Sequence, residues 1–231
     1  SEADGVTLTP VDPTQPTTTP IEGYRGLPGY EGNQYAATKR LPLPAVAKLM
    51  RQDIKAATKE GLLPKDATYS VRTRHHQAID IEEADLPPDE EVYDYSVRQT
   101  MGGVPQPHKT LKPEYAEIKS HLNRIRNAYN YDKSDSQSDY FNTRFYGRVR
   151  LLDDRADARA KLEAARRKGM RVQSQHKKGQ ATQQKLDEAA AQFRQAKDVA
   201  ERTSNRADAI SEVVRATGHH DWDAITELEA S

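Results

Sequence analysis

The feature of this sequence that most restricts its fold is a run of small and apolar residues in its C-terminal third. These residues recur at alternating steps of three and four positions across four heptads, without interruption. A strict heptad period places one narrow stripe along a helix and predicts that this stripe packs lengthwise against another helix. Because most of the stripe residues are small, the partner helix has to approach closely. The stripe consists of Leu186, Ala189, Phe193, Ala196, Ala200, Thr203, Ala207, Ile210 and Val214.

Two helices are candidate partners for this stripe. A narrow apolar stripe stabilises an isolated helix poorly, so a partner is required. Residues 154–168 are rich in alanine and arginine and predict a helix that folds back from the same chain, interrupted at Gly169. The other candidate is the same helix of a second copy. The stripe is therefore also a candidate seam for a protein partner or for self-association.

Residues 42–152 predict a small α+β domain. Two segments that begin at prolines carry apolar residues at helical spacing, and proline is tolerated at a helix start. Residues 67–74 and 78–82 alternate in polarity and predict a hairpin, and residues 91–99 predict a further strand. We therefore expect a small, mainly antiparallel sheet with two helices on one face. A long α-helical, coiled-coil-like C-terminal region follows this domain.

The clearest strand pattern lies in residues 140–152. Phe141, Phe145, Val149 and Leu151 fall on one face, because successive side chains of a strand point to opposite faces. The other face bears tyrosines and arginines, which suits nucleic acid, since bases stack on aromatic rings and arginines bind phosphates. Arginines of the hairpin and a basic cluster downstream extend this surface. The candidate nucleic-acid-binding residues are Arg72, Arg74, Tyr140, Arg144, Tyr146, Arg148, Arg150, Arg166, Arg167 and Lys168.

Charge is strongly segregated along a chain whose formal net charge is zero. Residues 80–94 hold eight acidic residues and no basic ones, whereas residues 155–178 hold nine basic residues and two acidic ones. These segments either pair with each other or face different partners. With 35% hydrophobic and 30% charged residues, the chain predicts a modest core with extended appendages.

These patterns divide the chain into four parts. Residues 1–41 are rich in proline, threonine and glycine and predict an extended, polyproline-like arm, which is either a disordered tail or an arm that lies on a neighbouring protein. The α+β domain of residues 42–152 follows the arm. Residues 153–179 predict a basic helical segment, and residues 180–231 contain the heptad helix and a short terminal helix.

Signals for chemistry are scarce. The chain has no cysteine, which excludes disulfides and cysteine metal sites and fits a reducing compartment. No apolar run approaches the roughly 18 residues of a membrane-spanning helix. The sequence contains no phosphate-binding glycine loop, no nucleophile elbow and no zinc-protease motif. We expect no cofactor, no metal, no small-molecule substrate and no enzymatic activity, and a location in the bacterial cytoplasm or a virion.

Four segments together resemble a known family. They read VAKLMRQDIKAA, YSVRTR, AIDI and NAYNYDKSDSQSDYFNTRFY, and they fall within residues 42–152. In this order they resemble the large polyvalent protein-associated domains of actinobacterial phages and conjugative elements. The last segment is the most specific of the four. The resemblance implies a small non-catalytic α+β module in a mobile-element context, and it supplies no catalytic residues.

The leading functional expectation is an accessory or structural protein of a phage or mobile element. It would act by protein–protein binding through its N-terminal arm and heptad helix. The first alternative is a nucleic-acid-binding protein that uses the strand face and the basic residues 155–178. The second alternative is an uncharacterised enzyme with a site assembled near residues 131–140.

Overall fold

The computed structural model describes residues 8–135 and 138–230. It contains both helices and small sheets, and its longest helix lies near the C-terminus, which confirms the predicted α+β class and the long C-terminal helix. In chain order the elements are β1 (Thr18–Glu22), β2 (Pro28–Gly32), α1 (Tyr35–Thr38), α2 (Leu43–Lys59), β3 (Thr68–Arg74), β4 (Ala78–Ala84), α3 (Asp89–Val92), β5 (Tyr93–Gln99), β6 (Pro105–Leu111), α4 (Pro113–Ala128), β7 (Tyr131–Asp132), β8 (Val149–Leu151), α5 (Asp154–Lys177), α6 (Gln183–Thr217) and α7 (Trp222–Ala230).

The chain forms two compact units, which differ from the predicted division into parts. The first unit comprises residues 1–85 and 113–151, and the second comprises residues 86–112 and 152–231. Residues 86–112 were expected in the α+β domain. They belong instead to the second unit, because β6 packs against α6.

The core of the first unit lies between two helices and a three-stranded sheet. Strands β3 and β4 form the predicted antiparallel hairpin, and β8 adds parallel to β4. Helix α2 packs on β3, and α4 packs on α2 and β8. Both helices turn an apolar face inward, as their spacing predicts. The largest fully buried apolar side chains here are Met50, Leu63, Ile79, Ile81, Leu122, Ile125, Tyr129 and Phe145.

The strand predicted over residues 140–152 is much shorter in the structure. Only Val149–Leu151 is a strand, and earlier residues make isolated bridges. Gly147, with φ of +119°, interrupts the extended backbone where it crosses β4. The alternation therefore does not extend back to Phe141, which is 59% exposed although it was predicted to face the core.

The N-terminal segment is folded rather than an extended arm. β1 and β2 form an antiparallel hairpin, and β7 pairs with β2. Before the hairpin, the Val11 amide donates to Asp53 Oδ1 at 3.2 Å, and the Arg124 guanidinium donates to the Pro13 carbonyl at 2.8 Å. The composition signal for an extended arm was wrong from Val11 onward, because side chains of α2 and α4 bond this backbone directly.

The second unit contains a strand that the sequence pattern missed. No strand was predicted over residues 105–111, but they form β6 and pair with β5 along its whole length. Pro105 and Pro107 obscured the signal, because proline lacks an amide donor and is confined to edge strands. In a two-stranded ribbon both strands are edges, so these prolines are tolerated.

Candidate nucleic-acid interface

The outer face of the sheet in the first unit carries the predicted arginines, but acidic residues of the central strand neutralise them. On β4, Asp80 bonds Arg74, and Glu82 bonds Arg150. The Arg72 guanidinium lies 3.9 Å from Glu82. These are cross-strand pairs of the kind that stabilise a sheet by a few tenths of a kcal/mol. The hairpin arginines are thus engaged within the sheet.

Arg144 is turned into the protein, which corrects its predicted place on the outer face. Its guanidinium donates to the Thr38 hydroxyl and the Tyr129 carbonyl, both at 2.9 Å. It also donates to the carbonyls of Thr38 and Leu41. Burial lowers the pKa of Arg144. This side chain holds the end of α1 and of α4 together and cannot also bind a phosphate.

The aromatic members of the predicted surface are separated. The Tyr140 ring stacks on the Tyr24 ring with centroids 4.2 Å apart, so one of its faces is occupied. Tyr146 is 48% exposed, and Arg148 is exposed beside it. The structure therefore does not assemble one continuous tyrosine and arginine row, because the backbone before Gly147 is not a strand.

The heptad stripe of α6 packs within the chain. Helices α5 and α6 form a helical hairpin with the most extensive contact of any two elements. Ala189, Ile210 and Val214 are buried, and the other stripe residues are partly covered, while all positions between the stripe residues from Leu186 to Thr203 are exposed. Of the two candidate partner helices, the structure thus has the one that folds back.

The complementary stripe on α5 is a feature that the sequence analysis missed. Its covered positions follow the same alternating steps of three and four residues. Five of the seven are small or polar, so hydrophobicity alone did not reveal them. Matching the period of α6 backwards from residue 176 would have found them. They are Arg155, Ala158, Leu162, Ala165, Gly169, Val172 and His176.

Gly169 lies inside α5 and does not interrupt it, contrary to expectation. An added Cβ at Gly169 would have no atom within 4 Å. Because glycine in a helix interior costs about 1 kcal/mol relative to alanine, we expect Gly169→Ala to raise the free energy of unfolding by up to about that amount. Urea unfolding followed by circular dichroism measures this change.

Gly179→Ala is the matched control for this substitution. It also has open space around the added Cβ, but its φ is +70°. Alanine in that conformation costs roughly 1 kcal/mol or more, so the control should destabilise. Destabilisation by Gly169→Ala as well would mean that the stripe needs a glycine there for closer helix contact.

The end of the helical hairpin at which α5 connects to α6 is strongly basic. We call residues 164–197 the basic tip. It holds nine Lys and Arg residues against two acidic residues. All nine are exposed, including the predicted Arg166, Arg167 and Lys168. In the described chain, only Arg166 of these nine has a carboxylate partner, Glu163 at 3.7 Å.

The C-terminal part of α6 and the last helix have the opposite charge. Residues 198–231 hold eight acidic residues against three basic ones. Pairing between the two helices does not neutralise the basic tip. Between the described side chains of the two helices in the tip, a hydrogen bond runs from Lys168 Nζ to the Gln192 amide oxygen at 2.7 Å. The second unit therefore presents a concentrated positive surface to solvent.

A second charged cluster in this unit is internally satisfied. The Lys109 ammonium bonds Asp89 and lies 3.5 Å from Asp153. The Asp154 amide donates to Asp89 at 3.0 Å. Burial, and next the charge of Asp89, raise the pKa of Asp154. These residues line a cavity of about 290 Å³ and join the start of α5 to the β5–β6 ribbon.

Searches for other sites and for relatives are negative. Within residues 8–135 and 138–230, no group of three or more histidine, cysteine or acidic residues is placed to hold a metal ion. None of the described helices is long and apolar enough to cross a membrane. No family model, no curated protein and no solved structure matches this chain.

Proposed function

We propose that this protein binds nucleic acid through the basic tip of its helical hairpin. The observation that carries the proposal is the exposure of all nine basic side chains of the tip, of which only Arg166 has a carboxylate partner among the residues that the structure describes. Cationic side chains that lack partners release counterions from a phosphate backbone, which is the dominant source of sequence-independent affinity. A chain with zero net charge concentrates this capacity in one place.

The composition of the tip favours contact with phosphates over contact with bases. Phe193 is its one aromatic residue, and it lies in the stripe between the helices, partly covered. Single-strand binding proteins stack bases on exposed aromatic rings, which the tip lacks. We therefore expect duplexes to bind at least as well as single strands, with little preference for sequence and a steep dependence on salt.

The test compares two triple variants of equal charge change. The tip variant replaces by glutamine Arg167 and Arg171, on the exposed side of α5, and Lys178, which directly follows α5 and is also exposed. The sheet variant replaces Arg72, Arg74 and Arg148 by glutamine. Fluorescence anisotropy with a short labelled DNA duplex, over about 50 to 200 mM salt, measures the affinity and its salt dependence.

We expect the tip variant to bind roughly 100-fold more weakly at the lower salt, with a salt slope smaller by about 3, because each phosphate contact contributes about 0.9 to the slope. The sheet variant should bind like the wild type. An unchanged tip variant, or a loss of affinity confined to the sheet variant, would refute binding through the hairpin.

A second candidate function is self-association of the protein through surfaces of opposite charge. The basic tip of one copy complements the acidic surface of residues 198–231 of another. Light scattering without nucleic acid would then show a mass that falls as salt rises. The leading expectation of protein binding through the arm and heptad stripe has less support, because both segments have partners within the chain. The role in a phage or mobile element, the resemblance behind it and the absence of catalysis stay predictions.

A further inference from the structure

One buried carboxyl group of the first unit is incompletely bonded. Glu83 lies on β4 and is fully buried, with Tyr69 opposite it on β3 and Leu151 opposite it on β8. Its Oε1 is 3.1 Å from the Tyr69 hydroxyl. Its Oε2 is buried and has no hydrogen-bond partner among the described residues. Burying an ionised carboxylate without full hydrogen bonding is costly, so the protonated form is favoured.

The hydrogen-bond pattern of Tyr69 supports the same protonation state. Its hydroxyl is 3.1 Å from the Pro64 carbonyl, the same distance as from Glu83. A phenol has one proton to donate, whereas both neighbours are acceptors if Glu83 is ionised. If Glu83 carries the proton, it donates to the Tyr69 oxygen, and Tyr69 donates to Pro64. Only this arrangement gives the Glu83 Oε1, the Tyr69 hydroxyl and the Pro64 carbonyl a hydrogen bond each.

We infer that the Glu83 proton is a switch that fastens the segment of residues 61–66 to β3. When Glu83 loses this proton, the Tyr69 hydroxyl turns to the carboxylate, and the Pro64 carbonyl loses its donor. The segment is then held by the buried Leu63 side chain and by hydrogen bonds on its other side. There, the Leu62 amide donates to the Ala57 carbonyl at 2.9 Å, and the His121 Nδ1 lies 3.2 Å from the Leu62 carbonyl.

The groups around Glu83 place this transition in the neutral range. Tyr69 faces it from β3, and Leu151 is its neighbour in register on β8. Burial raises the pKa of Glu83 to about 7, although the Tyr69 bond opposes this. Burial, and then the Glu83 charge, raise the pKa of Tyr69. The segment itself carries Lys65 and Asp66, and beyond it His121 Nε2 lies 3.9 Å from Glu117 Oε1.

The sign of the pH dependence follows from the direction of this shift. The folded-state pKa of Glu83 lies above its ordinary value of 4.5. Its contribution to stability is therefore complete below the ordinary value and is lost as the pH rises through about 7. Release of the segment at higher pH would widen a cavity of about 630 Å³ that Glu114, Glu117 and His121 also line.

Amide hydrogen exchange of the full chain tests the switch. The reporter is the Leu62 amide, and the Ile81 amide, which donates to the Arg148 carbonyl at 3.0 Å, reports on opening of the sheet. After correction for intrinsic rates, we expect protection of Leu62 to fall at least about tenfold between pH 5.5 and 8.5, while Ile81 changes less. Equal losses at Leu62 and Ile81 would refute a local switch.

Two variants identify the group that causes the pH dependence of Leu62 protection. Glu83→Gln supplies a permanent donor to Tyr69, so the protection of Leu62 should no longer depend on pH. His121→Asn keeps a donor near the Leu62 carbonyl without a titrating ring, so it should retain the dependence. The proposal fails if Glu83→Gln behaves like the wild type, or if His121→Asn abolishes the effect. A Glu83→Gln protein that does not fold at pH 5.5 would also overturn it, since glutamine mimics the protonated carboxyl.

Discussion

Replacing Gly147 by alanine should lower the free energy of unfolding by more than about 3 kcal/mol, enough to disrupt the first unit. Gly147 has φ of +119°, where a side chain is strained. An added Cβ would also lie 2.1 Å from the carbonyl oxygen of Ile79. That carbonyl belongs to β4, so the clash would separate β8 from the sheet and open the core around it. Urea unfolding followed by circular dichroism measures the loss.

Gly61→Ala separates the backbone strain at positive φ from the clash of the added Cβ. Gly61 also has a positive φ, +81°, but an added Cβ there has no neighbour within 4 Å. We expect it to cost only the conformational penalty of about 1 to 2 kcal/mol. If both variants are destabilised equally, the close approach of Gly147 to Ile79 contributes nothing, and the shortness of β8 has another cause.

Replacing Arg144 by methionine should destabilise the first unit by about 3 kcal/mol or more. The substitution keeps much of the apolar stem but removes the donors to the Thr38, Leu41 and Tyr129 carbonyls. Hydrogen bonds from charged donors contribute about 1.5 to 3 kcal/mol each, and acceptors left unsatisfied in a buried place add to the cost. The same unfolding measurement applies.

Arg148→Met is the matched control for Arg144→Met. Arg148 lies four residues later and is exposed, so we expect a change within about 0.5 kcal/mol. Similar losses from the two variants would show that Arg144 is an ordinary surface residue. The pair of variants therefore also tests whether Arg144 is engaged within the fold rather than available to a ligand.

Local patterns of the sequence predicted the elements whose structure depends on near neighbours. The β3–β4 hairpin has its predicted strands, and Arg72 and Arg74 pair with the acidic residues of β4. Helices α2 and α4 begin at their prolines and bury the faces that their spacing indicates. The period of the α6 stripe predicted which face of that helix is covered.

Other features depend on contacts between distant residues. The outward place predicted for Arg144 assumed an unbroken strand, but the carbonyls that bind it come from a segment 103 to 106 positions earlier and from Tyr129. The prolines of β6 and those before β1 suggest a loop or an arm. β6 is ordered by its pairing with β5, and the backbone before β1 is held by hydrogen bonds with Asp53 and Arg124. No local period contains that information.

The candidate interface divides in the same way. The sequence by itself determined where positive charge is concentrated and that α6 needs a partner helix, because both are properties of composition and period. Only the tertiary structure decided which arginines are available. It pairs Arg150 with Glu82, bonds Arg144 to the Thr38 and Tyr129 carbonyls, and leaves the basic tip exposed, because these contacts depend on which distant segments meet.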